Sequence, residues 1–160
     1  MSRGKQAPKR VVSPDPRYNS ELVSKFINYL MIGGKKTVAQ AIVYGAIEDL
    51  AKKRSGNGIE LFEQVINTVK PHVEVRSRRV GGANYQVPMP VTGKRQNTLA
   101  FRWILTAARA RKGRGMQDRL TNEFHDILEG VGGAMKKRED VHRQAEANKA
   151  FAHFARFGRR

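Results

Sequence analysis

Residues 72–91, HVEVRSRRVGGANYQVPMPV, decide the fold. Before them, apolar residues recur at helical spacing; within them the period drops to two. Val73 and Val75 alternate with Glu74 and Arg76, and Tyr85, Val87, Met89 and Val91 alternate with Gln86, Pro88 and Pro90. Two such runs around Gly81-Gly82 predict a β-hairpin. A two-residue Gly-Gly loop would set Val75 against Pro88 and break the apolar face. A three-residue loop, Gly81-Gly82-Ala83, sets Val75 against Met89 and Val73 against Val91, and is the expected register. Pro88 and Pro90 cannot donate to a ladder, so the second strand is an edge. A two-stranded ribbon is marginal alone, so its base must pack on helices while its tip projects.

Helices surround this ribbon. Ser20 is placed to cap a helix whose stripe is Leu22, Val23, Phe26, Ile27, Leu30 and Met31, stopped by Gly33-Gly34. Thr37 with Gln40, then Asn57 with Glu60, form capping-box patterns for the next two. Val38, Ile42, Val43, Ala46, Ile47 and Leu50 make the buried face of one, and Leu61, Phe62, Val65, Ile66 and Val69 that of the other. Beyond the hairpin, helices are expected over about 93–110, 116–129 and 134–148, separated by glycines. The resulting fold class is mainly α: a six-helix single domain with a protruding two-stranded hairpin and extended basic termini. Its parts are an arm (1–19), a helical body (20–150) with the hairpin at 72–91, and a basic, aromatic tail (151–160).

The charge narrows the function. Thirty-one Lys and Arg face 14 acids, a net +17 among 160 residues. Such an excess repels itself unless a polyanion neutralises it, and nucleic acid is the usual one. A membrane surface would need a basic amphipathic helix with exposed aromatics, or a lipidation motif, and neither is evident. No run reaches the length of a membrane span and no signal-peptide core opens the chain, so a cytoplasmic compartment, bacterial or organellar, is expected. The absence of cysteine removes disulfides, thiolate metal sites and cysteine nucleophiles. The four histidines have no helical metal-site spacing. No metal, cofactor or catalytic set is expected. The run Gly34-Lys35-Lys36-Thr37 lacks the earlier glycine of a nucleotide-binding loop, although a basic loop at a helix start suits a phosphate.

The excess is concentrated. Residues 70–114 hold eleven basic residues (Lys70, Arg76, Arg78, Arg79, Lys94, Arg95, Arg102, Arg109, Arg111, Lys112 and Arg114) against one acid, Glu74. Arg95, Arg102 and Arg109 are seven apart and share a helix face with Thr98 and Thr106. That helix has no acid, so a phosphate-binding stripe is expected rather than local ion pairing. In the arm, Arg3, Lys5, Lys9 and Arg10 alternate with small residues that let the chain lie flat on phosphate. Lys35 and Lys36 join the candidate RNA-binding set. At the hairpin tip, Gly81, Gly82 and Ala83 permit close approach, and Asn84, Tyr85 and Gln86 suit stacking and hydrogen bonding to single-stranded bases. The mixed run 136–143 reads as a solvated helix face with internal pairs.

Several segments carry a family resemblance. They are Asp15-Pro16-Arg17-Tyr18, Gly34-Lys35-Lys36-Thr37-Val38-Ala39, Pro71 through Val75, Val80-Gly81-Gly82-Ala83-Asn84-Tyr85-Gln86-Val87-Pro88 and Arg102-Trp103. Gly133, Lys136-Lys137-Arg138-Glu139-Asp140 and Ala147-Asn148-Lys149-Ala150-Phe151 complete them. In this order, end to end, the chain resembles bacterial-type small-subunit ribosomal protein seven. The resemblance implies a non-enzymatic protein that binds the 3′ major domain of small-subunit rRNA and nucleates assembly of the head. It implies a hairpin facing the exit-site tRNA and the mRNA exit path. It implies protein neighbours in the head and platform, from families nine, eleven and thirteen, and an RNA-facing part for the 136–143 run, which adds Lys136 to the candidate RNA-binding set. Two departures are Ile32-Gly33 before Gly34, where the family usually carries a charge, and a longer Phe-rich tail.

Two other classes compete. A DNA-binding architectural protein would read base edges from a recognition helix and usually be a symmetric dimer. An RNA-processing enzyme would set acids or histidines beside the basic face, whereas here the acids segregate into residues 118–129.

Overall fold

The computed structural model describes residue 4, residues 11–113 and residues 115–158, with side chains to residue 155. Six α-helices, one hairpin and a C-terminal 3-10 helix run in order among the described residues: α1 (Glu21–Leu30), α2 (Lys36–Arg54), α3 (Gly58–Val69), β1 (Val73–Val80), β2 (Ala83–Pro90), α4 (Gly93–Ala110), α5 (Met116–Leu128), α6 (Gly133–Ala147) and the 3-10 helix (Lys149–Gly158). The mainly helical class with a single hairpin is as the sequence predicts. The C-terminal tail, expected to be extended, is instead a 3-10 helix over its described residues. By Cα proximity the chain divides into two compact units, residues 1–40 and 41–160, with the boundary inside α2.

In the first unit, Asp15 is buried and its carboxylate accepts from the backbone N–H of Arg17 (3.1 Å) and Tyr18 (3.2 Å). This Asx-type turn gives the Asp-Pro-Arg-Tyr segment its shape. Asn19 N–H donates to Asp15 O at 2.8 Å and closes the turn just before α1. Helix α1 buries Val23, Ser24, Phe26, Ile27 and Leu30, as its period requires. Ser20 stands at the N-cap, but its side chain makes no capping bond. Two expectations for α2 fail. The helix begins at Lys36, so Thr37 lies inside it and cannot cap it. Val38 is 54% exposed rather than buried. The helix starts two residues before the position that a Thr37 cap would give, with Val38 in its first turn.

In the second unit the core is built from Val43, Ala46, Ile47 and Leu50 of α2, Phe62, Val65, Ile66 and Val69 of α3, and the inner faces of α4 and α5. Phe62 and Phe124 meet edge to face at 5.7 Å, locking α3 to α5. Asn57 caps α3 as expected: it accepts from Ile59 N–H (3.2 Å) while its amide donates to Glu60 (2.9 Å). Gly58 lets α2 and α3 turn tightly, because a Cβ there would lie 2.7 Å from Ile47 Cγ2. On α4 the buried residues are Leu99, Ala100, Phe101, Ile104, Leu105 and Ala108, so Trp103, expected in the stripe, is only half-buried.

The hairpin register differs from expectation. Val75 stands opposite Pro88, Arg76 opposite Val87 and Val80 opposite Ala83, leaving Gly81-Gly82 as a two-residue loop. Both glycines have positive φ (57° and 90°), the requirement of the tight turn whose twist matches the strands. The break anticipated for this register does occur: Val73 and Val75, half-buried, lie with Pro88 and Pro90 on one face, while Val87 and Met89 share the packed face with Glu74. Glu74 and Val87 are its buried members, and Arg78, Tyr85 and Met89 are partly covered. Turn geometry and a neutralised carboxylate thus outweigh the apolar alternation.

Candidate nucleic-acid interface

Helix α4 presents two unlike faces. Its apolar side is buried against α5 and α6, while Lys94, Arg102, Thr106 and Arg109 are exposed. No carboxylate lies on the helix itself. Of the residues expected to form a stripe, Arg102, Thr106 and Arg109 reach the surface, while Arg95 and Thr98 are half-buried. Arg95 is ion-paired: its Nε donates to Glu74 Oε2 of β1 at 3.0 Å. Arg76 Nη2 meets the other oxygen of the same carboxylate. Local pairing within the helix is absent, as its lack of acids requires, but Arg95 finds a partner on a strand 21 residues away.

Arg111 sits at the α4–α5 junction. Its guanidinium donates to Glu123 at 2.7 Å and also bonds Asp126. Glu123 is 1% exposed at its side chain, and its second oxygen accepts from Ala134 N–H (2.9 Å) at the start of α6. Arg111 thereby ties three helices. Burial is the largest single influence on it and disfavours the cation. The hydrogen bonds and charges of Asp126 and Glu123 together outweigh burial and raise its pKa above the ordinary arginine value. The acids assigned to α5 are thus partly spent on structure rather than simply segregated from the basic face.

On the hairpin, Arg76 and Arg79 are exposed, as are Gly81, Gly82, Ala83 and Asn84 at the tip. Arg78 is partly buried and donates to Phe154 O at 3.4 Å. Tyr85 packs on Phe151 and Phe154 at centroid distances of 5.1 and 5.2 Å. The 3-10 helix therefore covers part of the ring proposed for base stacking. The Phe pattern of the tail was visible in sequence; its target was not.

Lys35 and Lys36 are exposed within the first unit, and Lys112 and Lys136 within the second. Arg3, Lys5, Lys9, Arg10 and Arg114 lie outside the described residues. Arg143 pairs with Asp140 at 3.9 Å, the internal pair expected of the mixed run, whereas Arg138 bonds the Thr68 carbonyl. Arg17, exposed beside the Asp15 turn with its guanidinium 5.6 Å from the Tyr18 ring, is a cation the candidate set omitted. Among the described residues one His–carboxylate cluster, His125, Asp126 and Glu129, has metal-like spacing. Arg54 already reaches Glu129 at 3.3 Å and Arg111 holds Asp126, so it is an ion-pair network that disfavours a cation. No described helix is long and apolar enough to cross a membrane.

Comparison with known proteins agrees with this arrangement. Residues 2–149 match the model of the family described as ribosomal protein S7p/S5e. The chain is 61% identical over 152 residues to small ribosomal subunit protein uS7 of Nautilia profundicola, covering 95% of this chain and 98% of that one. It is 56% identical over 155 residues to the protein of that name from Francisella tularensis subsp. holarctica, covering 96% and 99%. A helical body, a glycine-tipped hairpin, an arginine-bearing helix face and end-to-end similarity thus converge: the chain belongs to the ribosomal protein S7p/S5e family, and is a ribosomal protein of the small subunit.

Proposed function

We propose that this protein is a structural, non-catalytic constituent of the small ribosomal subunit that binds rRNA of the 3′ major domain and nucleates assembly of the head. The observation that carries the reading is α4. Its inner side is buried, and its outer side offers Arg102, Arg109, Lys94 and Thr106 to solvent with no acid on the helix. Arginine forks bind phosphates bidentately, and an array of them reads the shape of a folded RNA rather than its base sequence. The basic arm, Lys35 and Lys36, Arg76 and Arg79, Arg111 and Lys112 at the α4–α5 junction, and Lys136 add further phosphate contacts. The exposed Gly-rich tip, with Asn84 beside it, faces exit-site tRNA and the mRNA exit path. Head and platform proteins of families nine, eleven and thirteen are its protein neighbours.

The test is a variant carrying Arg102→Glu and Arg109→Glu. Arg95 is left in place, because reversing it would set a second carboxylate against Glu74. Affinity for a transcript of the 3′ major domain should fall more than about 100-fold in filter binding, with far-UV circular dichroism unchanged. Unchanged affinity would remove the stripe from the interface.

A further inference from the structure

Glu74 is the one acid among residues 70–114, in the most basic part of the chain. By charge counting it should weaken any polyanion interface. Its surroundings say otherwise. The side chain is 10% exposed, and each oxygen has its own arginine, Arg76 from the same strand and Arg95 from α4 (3.0 Å). The side chains of Arg76 and Arg95 remain 50% and 41% exposed. The negative charge is buried while the positive charges stay at the surface.

Two consequences follow. A buried carboxylate is tolerated only when paired and hydrogen-bonded, so the pairing is held by the desolvation of Glu74 rather than by weak surface attraction. And two like-charged side chains from different elements, which would otherwise repel, are fixed within reach of one carboxylate. Arg95 engages it through Nε. The Nη1–Nη2 edge, one of the two bidentate edges of a guanidinium, is not used by Glu74.

We infer that Glu74 is a positioning residue: it pre-organises Arg76 and Arg95 as a two-pronged clamp for RNA phosphate at the junction of hairpin and α4. The inference rests on the rRNA-binding reading above and deepens it. Arginines held in place lose less side-chain freedom when phosphate arrives, so affinity gains although one cationic charge is cancelled.

The experiment measures affinity for the 3′ major-domain transcript, and its salt dependence, for the full chain and three variants: Glu74→Gln, Arg76→Ala with Arg95→Ala, and all three together. Glu74→Gln raises the net charge by one, so a purely electrostatic interface would bind more tightly and with a steeper salt slope. The clamp predicts the opposite: binding about tenfold weaker, roughly the loss of one charge-assisted hydrogen bond, with a slope no steeper. In the arginine-less background Glu74→Gln should have no further effect. A merely structural contribution of Glu74 would persist there, and that result would overturn the proposal. Tighter binding by Glu74→Gln, with the arginine variant impaired, overturns the clamp alone. An arginine variant that binds like the unmodified chain overturns the underlying RNA reading of this junction, and the clamp with it.

Discussion

Replacing Arg111 by Met should damage the fold more than it damages RNA binding. The change leaves Glu123, 1% exposed, without a cationic partner and with one remaining donor, Ala134 N–H at 2.9 Å. Orphaning one member of a buried ion pair costs about 3–5 kcal/mol. One feature places this case at the lower end: Arg111 is 29% exposed, so water can enter the vacated place. Asp126, 32% exposed, loses a near-surface pair that adds about 0–1 kcal/mol. The expected loss is about 3 kcal/mol. For a chain of this length that lowers Tm by roughly 6–12 °C. Thermal unfolding followed by circular dichroism, without RNA, reads it directly. Adding Glu123→Gln to Arg111→Met removes the orphaned charge and should recover at least half of the loss, since removing both partners of a buried pair is far milder than removing one. A Tm within 2 °C (roughly 0.5–1 kcal/mol) of the unmodified chain for Arg111→Met would refute the reasoning and return Arg111 to a purely RNA-facing part.

Two further outcomes test the packing and the titration. Gly58→Ala should gain up to about 1 kcal/mol from helix propensity, yet its Cβ would meet Ile47 Cγ2 at 2.7 Å. Overpacking costs about 1–3 kcal/mol, so a net fall in urea midpoint is expected; a rise would show that α2 and α3 separate freely. Burial, then the charges of Arg138 and His72, holds the pKa of His142 below the ordinary 6.5. The unfolded chain therefore binds that proton more readily, and stability is lost as pH falls from about 6.5 towards the folded value. Protonation would also forfeit the bond from His72 N–H to His142 Nε2 (3.4 Å). The Tm difference between pH 7.5 and pH 5.5 should shrink in His142→Gln; an unchanged difference would assign the acid sensitivity elsewhere.

The sequence exposed what depends on local period and composition. Helix positions followed from apolar spacing and glycine stops, and the Asn57–Glu60 cap was read correctly because it is a contact across three residues. The hairpin was found by its change of period, but its register was misjudged. That choice depended on which face packs, and the answer lay in Glu74 being neutralised by Arg95 from a later helix. Likewise Arg111 looked like one of eleven similar cations until Glu123 and Asp126, 12 and 15 residues on, came to meet it. Charge counted along the chain gives the sign of a surface but not which cations are already committed. The tail failed for the same reason: Phe151 and Phe154 announce a contact, while Tyr85, the ring they cover, is about 70 residues away.

The central claim is that exposed arginines of α4 clamp folded rRNA through its phosphates, and the salt dependence of binding tests it most directly. With ~10 phosphates neutralised, log affinity for the 3′ major-domain transcript should fall against log salt with a slope of roughly −7 to −9. Arg102→Ala with Arg109→Ala should make that slope shallower by about 1.5–2 units. A slope near zero, or one the double variant leaves unaltered, would contradict the account.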